Sequence, residues 1–197
     1  MTEAITTRES VWSYPRPPRV EPVVARLQVV HDGQMLADAS GGYRVLETSH
    51  PPCYYLPQAS VDWSRLEVSP TRTFCEFKGT ARYWSLHSDN GLIAVVCWAY
   101  DDPVASHAAI AGLVSFYAGG VDACYVDGEQ VQAQSGRFYG GWITSAIKGP
   151  FKGERRNRRL VNFQSNNGRR HEQSDRLRAQ PCRTGCGARR ERRHKRL

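Results

Sequence analysis

The sequence predicts a mostly β domain of antiparallel strands with one or two short helices. Three turn signals, Asp32-Gly33, residues 88–91 and Asp127-Gly128, separate segments that are rich in aromatic and β-branched residues. Several of these segments alternate between apolar and polar residues, as strands with one buried face do. Strands and helices do not alternate regularly along the chain, so a parallel sheet with crossover helices is not expected.

Residues 1–22 are predicted to form an extended N-terminal arm, because prolines at positions 15, 17, 18 and 22 exclude a helix there. We expect Trp12 and Tyr14 to pack onto the outside of the domain. The alternative is that Arg16 or Arg19 reaches into a site. The β domain itself is predicted to span residues 23–151.

The first half of the domain is predicted to start with a β-hairpin, residues 26–30 and 35–37, followed by a strand over residues 43–47. Ser60 is the expected N-cap of a short helix over residues 61–66, with Asp62 in its first turn. Ser69-Pro70 is expected to end that helix.

The second half is predicted to contain a hairpin of residues 73–78 and 81–87 that turns at Gly79-Thr80. Residues 92–100 are the most apolar run and are expected to form the most buried strand. A helical segment through residues 105–110 should stop at Gly112. Strands over residues 114–117 and 121–126 follow, and the aromatic segment 138–143 is expected to pack back onto the domain.

The charge of the chain is divided unevenly between its two parts. Residues 1–150 hold 11 Lys and Arg against 15 Asp and Glu, a net charge of −4, whereas residues 151–197 hold 16 against 4, a net charge of +12. Residues 152–197 lack hydrophobic periodicity and are predicted to form a basic, disordered tail. Three interpretations stay open: a solvated tail, a nucleic-acid-binding arm, or the product of a reading-frame change near residue 153.

Several functional classes are excluded by composition. No apolar run approaches the roughly 20 residues of a membrane span, and the N-terminus lacks the pattern of a secretory signal, so a cytoplasmic protein is expected. Cys53, Cys75, Cys97 and Cys124 are too far apart in the sequence to form the paired ligands of a zinc site. We predict reduced thiols, no metal site and no identifiable cofactor.

The candidate pocket combines residues 47–57 with residues 75–79. Glu47, His50 and Lys78 are the candidate catalytic residues, although the sequence does not establish an enzyme. Glu47 suits a general base, a ligand anchor or an ion-pair partner of Lys78. Lys78 beside Gly79 suits an anionic ligand. His50 suits proton transfer, or a hydrogen bond in a turn.

Aromatic residues supply the remaining predicted contacts to a small anionic or planar ligand. The predicted ligand-binding residues are Glu47, Tyr54, Tyr55, Lys78, Trp84 and Tyr100. The alternatives are a nucleotidyl-transfer enzyme and an interaction module whose nucleic-acid binding rests on residues 152–197. Nucleotidyl transfer needs clustered carboxylates for Mg²⁺, and the candidates Asp101-Asp102 and Asp127 with Glu129 have the sequence context of turns.

The chain contains a series of motifs in a distinctive order: Glu47, Tyr55-Leu56-Pro57, the segment from Cys75 to Gly79, residues 83–86, Trp98-Ala99-Tyr100 and Phe116-Tyr117. This order resembles that of one bacterial family, called domain of unknown function 427. The longer form of the family has an arm like residues 12–18 and an ending like residues 138–143. The match extends over roughly residues 10–153.

The resemblance implies an all-β fold similar to the β-tent of the Mss4 and methionine sulfoxide reductase type. It also carries a nucleotidyltransferase-like label without an established substrate. Phe77 stands where the family usually has Trp, and Asp101 where it usually has Pro. The two Cys-x-x-Cys pairs of zinc-binding β-tent relatives are missing, so zinc is not implied here. Family members tend to stop soon after residue 153, which favours the reading-frame interpretation of the tail.

Overall fold

The computed structural model describes residues 8–136 and 138–153, and the prediction of a mostly β, antiparallel fold is confirmed. The predicted β-tent assignment stays a prediction. The helical segments of the described residues are short 3₁₀ helices: Val11–Ser13, Gln58–Ser60, Trp63–Arg65, Ala105–Ile110 and Ala118–Gly120. None of the described helices is long and apolar enough to cross a bilayer.

Fifteen strands are present in the described part of the chain. They are β1 (Glu9–Ser10), β2 (Arg19–Val23), β3 (Leu27–His31), β4 (Gln34–Ala39), β5 (Gly42–Leu46), β6 (Cys53–Tyr55), β7 (Leu66–Cys75), β8 (Gly79–Ser88), β9 (Gly91–Tyr100), β10 (Val114–Phe116), β11 (Ala123–Val126), β12 (Glu129–Gln130), β13 (Gln132–Ala133), β14 (Trp142–Ile143) and β15 (Ile147–Lys148).

These strands form three main sheets and two short pairs. The sheets have the strand orders β10-β9-β8-β7, β12-β11-β3-β4 and β2-β5-β6, and all of their pairings are antiparallel. The pair β13-β14 is also antiparallel, whereas β1 and β15 are parallel and join the two ends of the described chain. Of the predicted arm, residues 19–22 belong to β2.

The Asp-Gly turns are confirmed. Asp32 and Gly33 have φ angles of 51° and 67°, and Asp127 and Gly128 have 48° and 80°. Two successive residues with positive φ define the turn that matches the right-handed twist of a two-residue hairpin, and Asp-Gly is a favoured sequence for it. These turns connect β3 to β4 and β11 to β12.

The predicted helix over residues 61–66 is much shorter in the structure. A single 3₁₀ turn forms over Trp63–Arg65, and its N-cap is Asp62, whose side chain accepts a hydrogen bond from the Ser64 N–H, rather than Ser60. Ser69-Pro70 does not end a helix but lies inside β7, where the pairing with β8 shifts register between Ser69 and Arg72. Proline has no N–H to donate to the ladder, so it is tolerated in this edge strand at a bulge.

The second predicted hairpin is present, but its turn lies three residues earlier than expected. Cys75 pairs with Gly79, so residues 76–78 form the turn and Gly79-Thr80 already belong to β8. Gly79 has a φ of 97°, a conformation that favours glycine, and the Lys78 N–H donates to the Cys75 carbonyl. Lys78 is therefore a turn residue, not the last residue of a strand.

β9 is buried only in its second half, from Val96 to Tyr100, whereas its first half is exposed or partly exposed. The pairing of β8 with β9 shifts register at Ser85, and Val95 opposite has a φ of 59°. Positive φ is a genuine outlier for a β-branched residue. The predicted stop at Gly112 is present, since Gly112 has a φ of 68° after the 3₁₀ helix Ala105–Ile110.

The core consists of three groups of buried side chains. The largest fills the space between the sheets and includes Leu27, Leu86, Phe116 and Trp142. The second is aromatic and contains Tyr55, Tyr83, Trp98 and Tyr100. The third joins the chain ends through Val11, Tyr14, Leu46, Ile147 and Phe151.

The predicted packing of the arm is present. Tyr14 is buried in the third group, and its hydroxyl donates to Glu9. Trp12 stays 41% exposed and donates its indole N–H to the Pro150 carbonyl at 2.8 Å. Both aromatic residues therefore attach the arm to the outside of the domain.

Candidate functional site

A cavity of about 450 Å³ lies where the end of β5, β6, the β7–β8 hairpin and residues 138–140 meet. Its lining combines an ion pair, a histidine, two cysteines and a set of aromatic rings. The lining residues are Val45, Glu47, His50, Pro51, Cys53, Tyr55, Thr71, Thr73, Phe74, Cys75, Lys78, Tyr83, Val95, Trp98, Tyr100, Tyr117, Gln134, Phe138, Tyr139, Gly140 and Lys152.

Glu47 and Lys78 meet in this cavity as an ion pair. Glu47 directly follows β5, and Lys78 extends from the turn between β7 and β8. The Lys78 Nζ lies 3.6 Å from Glu47 Oε2, and the two side chains are 13% and 23% exposed, respectively. The contact between these two opposite charges is therefore largely shielded from water. The predicted juxtaposition of these two residues is therefore present.

His50 lies beside this pair. Its Nδ1 is 3.1 Å from the Thr48 carbonyl and 3.9 Å from Glu47 Oε1. The contact to a carbonyl assigns the proton of the neutral ring to Nδ1, which leaves Nε2 as an acceptor. Burial lowers the pKa of His50 below its ordinary value, although Glu47 acts in the opposite direction. The imidazole is accordingly neutral near pH 7.

The aromatic wall is built around Trp98. Its indole N–H donates to the Tyr55 hydroxyl at 3.2 Å, and its ring centroid lies 4.4 Å from that of Tyr117. Gly140 packs directly on this indole, since a Cβ there would lie 2.1 Å from a ring carbon of Trp98. Burial raises the pKa of Tyr55 and Tyr100 well above the ordinary value, so these phenols stay neutral.

Two of the predicted ligand-binding residues point elsewhere. Tyr54 packs on Trp142 at 5.3 Å between ring centroids, and Trp84 packs on Trp63 at 5.2 Å, both in the largest core group. Successive side chains of a strand face opposite sides, so Tyr54 and Tyr55 cannot both line the cavity. Glu47, Tyr55, Lys78 and Tyr100 are the predicted ligand-binding residues that the structure brings together.

Neither Arg16 nor Arg19 contributes to the cavity lining. Arg16 forms an ion pair with Glu76 at 3.3 Å, with both side chains more than half exposed, and its guanidinium lies over the Phe77 ring. Arg19 pairs with Glu21 at 2.6 Å.

The cysteines of the described residues are free thiols, as predicted for a reduced protein. Cys97 and Cys124 are buried in the core, whereas Cys53 and Cys75 line the cavity. Burial raises the pKa of the Cys53 thiol to about 11, so this group is protonated near pH 7. A protonated thiol is a poor nucleophile and a poor metal ligand.

The carboxylates of the described residues do not gather at the cavity in a way that could hold a catalytic metal. Among the described lining residues Glu47 is the single carboxylate. Asp101 pairs with Arg82 at 2.7 Å, Asp127 accepts the backbone N–H of Arg26, and Glu129 accepts hydrogen bonds from Ser145. Asp101 directly follows β9 and Asp127 lies in the turn between β11 and β12, whereas Glu129 is the first residue of β12.

Away from the cavity, one group of described side chains has a spacing compatible with a metal ion: His31, Asp32 and Asp122. Arg65 Nη2 already lies 2.9 Å from Asp32 Oδ2 and neutralises that carboxylate. The group lies outside the cavity lining and fixes the turn between β3 and β4, where Asp122 accepts the Asp32 N–H.

Several cavity residues were not among the predicted site residues: Tyr83, Trp98, Tyr117, Gln134, Tyr139 and Lys152. A second cavity of about 400 Å³ adjoins the first and shares Val95, Tyr117, Gln134 and Tyr139 with it. The outlying backbone of Val95 therefore lies in the wall common to the two cavities.

A comparison with curated proteins finds no match. A family model described as Domain of unknown function (DUF427), and named NTP_transf_9, matches residues 19–127. The matched region contains Glu47, His50, Lys78 and most of the aromatic wall, but ends before Gln134, Tyr139 and Lys152. Because the match covers more than half of the chain, the protein belongs to the DUF427 family.

Proposed function

We propose that this protein binds a small planar ligand with an anionic group in the cavity next to Glu47 and Lys78. The observation that supports the proposal is a largely buried ion pair in a cavity whose other walls are mostly aromatic. A volume of about 450 Å³ falls in the usual range of small-molecule sites.

The aromatic wall favours a planar ligand. Trp98, Tyr83, Tyr100 and Tyr117 present ring surfaces and edges to the cavity. The Tyr83 hydroxyl is hydrogen-bonded to Thr73, and the Trp98 indole N–H to Tyr55. Flat ligand groups gain by stacking on such rings, because apolar area is buried and the ring quadrupoles are complementary. Phe74 and Phe138 also belong to the lining and are more than three-quarters exposed, which offers further ring surface where the cavity opens to solvent.

Catalysis is not part of the proposal. Glu47, His50 and Lys78 are close enough for proton transfer to a bound ligand, and they remain the candidate catalytic residues. The Cys53 thiol is protonated near neutral pH, and no activated nucleophile is evident among the described lining residues.

Nucleotidyl transfer has only the name of the family model in its favour. The expected chemistry needs carboxylates for Mg²⁺ close to the phosphate site, and Glu47 is the one described carboxylate that lines the cavity. Mg²⁺-dependent release of pyrophosphate from nucleoside triphosphates, with a broad acceptor panel, is the direct assay for this alternative.

The predicted nucleic-acid-binding tail lies almost entirely in residues 154–197, outside the described residues. DNA binding that disappears on truncation after Phe151 would support that function.

Thermal-shift and calorimetric titrations of the full-length chain test the proposal. The probes are benzoate, phenyl phosphate and adenosine monophosphate, three planar anions of increasing size. We expect at least one of them to bind wild type, and to bind Lys78→Met and Glu47→Gln at least about 10-fold more weakly, as loss of a charged hydrogen bond predicts.

Lys148→Gln is the matched control. Lys148 is exposed on β15 and outside the cavity lining, so this variant should bind as wild type does. The proposal is wrong if wild type binds none of the probes at millimolar concentration, or if the two cavity variants bind all of them unchanged.

A further inference from the structure

Lys152 is fixed in the cavity wall through its own backbone. Its N–H donates to the Ser49 carbonyl at 2.8 Å, and its carbonyl accepts a hydrogen bond from Gln134 Nε2 at 2.9 Å. The preceding residue, Phe151, is buried in the core group that joins the chain ends. Lys152 therefore presents its side chain to the cavity from a position held on both sides.

The charge balance distinguishes the two cavity lysines. Lys78 is paired with Glu47, so together they contribute no net charge. None of the carboxylates within residues 8–136 and 138–153 forms an ion pair with Lys152, whose ammonium instead lies 5.7 Å from the centre of the Tyr139 ring. The cavity thus carries a positive charge that its described walls do not neutralise.

His50 lies next to this charge. Its ring packs on the same Tyr139 ring, with 5.1 Å between centroids, and both Lys152 and Lys78 act electrostatically on the imidazole. Among the described residues, the titratable and charged groups that face His50 are Glu47, Lys78, Lys152 and Tyr139. A buried site with two cations and one carboxylate favours an anion with oxygen acceptors.

We infer that Lys152 binds the anionic group of the ligand and that His50, once protonated at Nε2, donates to the same group, whereas the Glu47–Lys78 pair contacts the neutral polar groups of the ligand. The inference rests on the proposed function and names the class of ligand more narrowly. It favours a carboxylate or a phosphate monoester joined directly to a planar ring, so that the ring lies along Tyr139 and Trp98. Lys152 lies outside the region matched by the family model and would set the preference for charge in this chain.

Two isosteric probes test the inference, benzoate and its neutral counterpart benzamide. In calorimetric or NMR titrations of the full-length chain, wild type should bind benzoate about 10-fold or more tightly than benzamide. In Lys152→Gln this preference should fall to about twofold or less, while benzamide affinity stays nearly unchanged. The double variant Glu47→Gln/Lys78→Met removes the ion pair without changing the net charge of the cavity, so it should retain the preference.

Lys148→Gln controls for a general loss of positive charge, and Lys152→Arg should keep most of the preference. Near-ultraviolet circular dichroism verifies that each variant is folded. A second measurement needs no variant: benzoate, but not benzamide, should shift the His50 imidazole NMR signals of wild type downfield by raising its protonated fraction near pH 6.

The outcomes separate this inference from the proposed function. If wild type binds none of benzoate, benzamide, phenyl phosphate and adenosine monophosphate, the proposed function fails and the inference fails with it. If wild type prefers benzoate and Lys152→Gln keeps that preference, or if Lys148→Gln loses it equally, the inference is overturned while binding in the cavity stands. An His50 signal that responds equally to both probes overturns it too.

Discussion

A double-mutant cycle on Glu47 and Lys78 measures how strongly the ion pair holds the empty cavity together. At 3.6 Å, Coulomb's law with an effective dielectric constant of about 20 gives a gross attraction of about 4–5 kcal/mol. The loss of hydration of two side chains that are 13% and 23% exposed opposes this attraction. We expect a net coupling energy of about 1–3 kcal/mol between Glu47→Gln and Lys78→Met.

The assay is urea unfolding of wild type, the two single variants and the double variant, followed by circular dichroism. The coupling energy is the difference between the double variant's change in unfolding free energy and the sum of the changes in the two single variants. Arg16 and Glu76 provide a matched control pair, since their charged atoms lie at 3.3 Å but their side chains are 60% and 68% exposed. Exposed pairs contribute little, so Arg16→Met with Glu76→Gln should couple by about 0.5 kcal/mol or less.

The comparison decides which lysine is available to a ligand. A coupling energy for Glu47 and Lys78 that is no larger than that of the exposed pair would mean that burial does not strengthen the contact. Lys78 would then be free to bind an anion, and the division of roles between Lys78 and Lys152 would lose its physical basis. A coupling energy of the predicted size supports a Lys78 that is already engaged before any ligand arrives.

Three further predictions concern single residues of the cavity. Burial lowers the pKa of His50 from 6.5, so the stabilisation from its neutral ring is complete above about pH 6.5 and is lost as the pH falls through the folded-state pKa. The unfolding free energy of wild type should therefore decline more steeply than that of His50→Gln between about pH 6.5 and pH 5. Equal slopes for the two proteins would contradict this. Gly140→Ala should destabilise the protein by about 1–3 kcal/mol in urea unfolding, because the new methyl group displaces the Trp98 indole; a change below about 0.5 kcal/mol would show that the indole moves freely. Cys53, whose burial raises its pKa to about 11, should react with iodoacetamide far more slowly at pH 7 in the folded chain than in urea, as read by mass spectrometry; equal rates would show an accessible thiolate.

Features with a local cause could be predicted from the sequence. The Asp32-Gly33 and Asp127-Gly128 turns are examples, because positive φ at two successive positions is a property of the dipeptide itself. The prediction of a helix over residues 61–66 was wrong for a non-local reason. β7 starts at Leu66, and this residue pairs with Leu86 of β8. The sequence signal at Pro70 was real, but a proline at a bulge in an edge strand and a proline after a helix look alike locally.

The candidate site also has one part that the sequence predicts and another part that it does not. The family resemblance predicted that Glu47 and Lys78 come together, and their 3.6 Å contact is present. The sequence could not predict which face of β6 lines the cavity. The alternation of side chains along a strand places Tyr54 and Tyr55 on opposite sides, but it does not indicate which side is the cavity. Both residues are aromatic, so neither the hydrophobic pattern nor the side-chain chemistry distinguishes them.

Lys152 shows why the remaining part of the site required the structure. It is separated from Glu47 by more than 100 positions, and it reaches the cavity only because β15 pairs with β1 and Phe151 packs among residues from both ends of the chain. In the sequence it stands at the start of a strongly basic region, where one more lysine carries no signal. Its backbone hydrogen bonds to Ser49 and Gln134 give it a fixed place that the flanking sequence does not reveal. A long-range contact therefore brings this positive charge to the cavity, and the proposed ligand preference cannot be derived from the region matched by the family model alone.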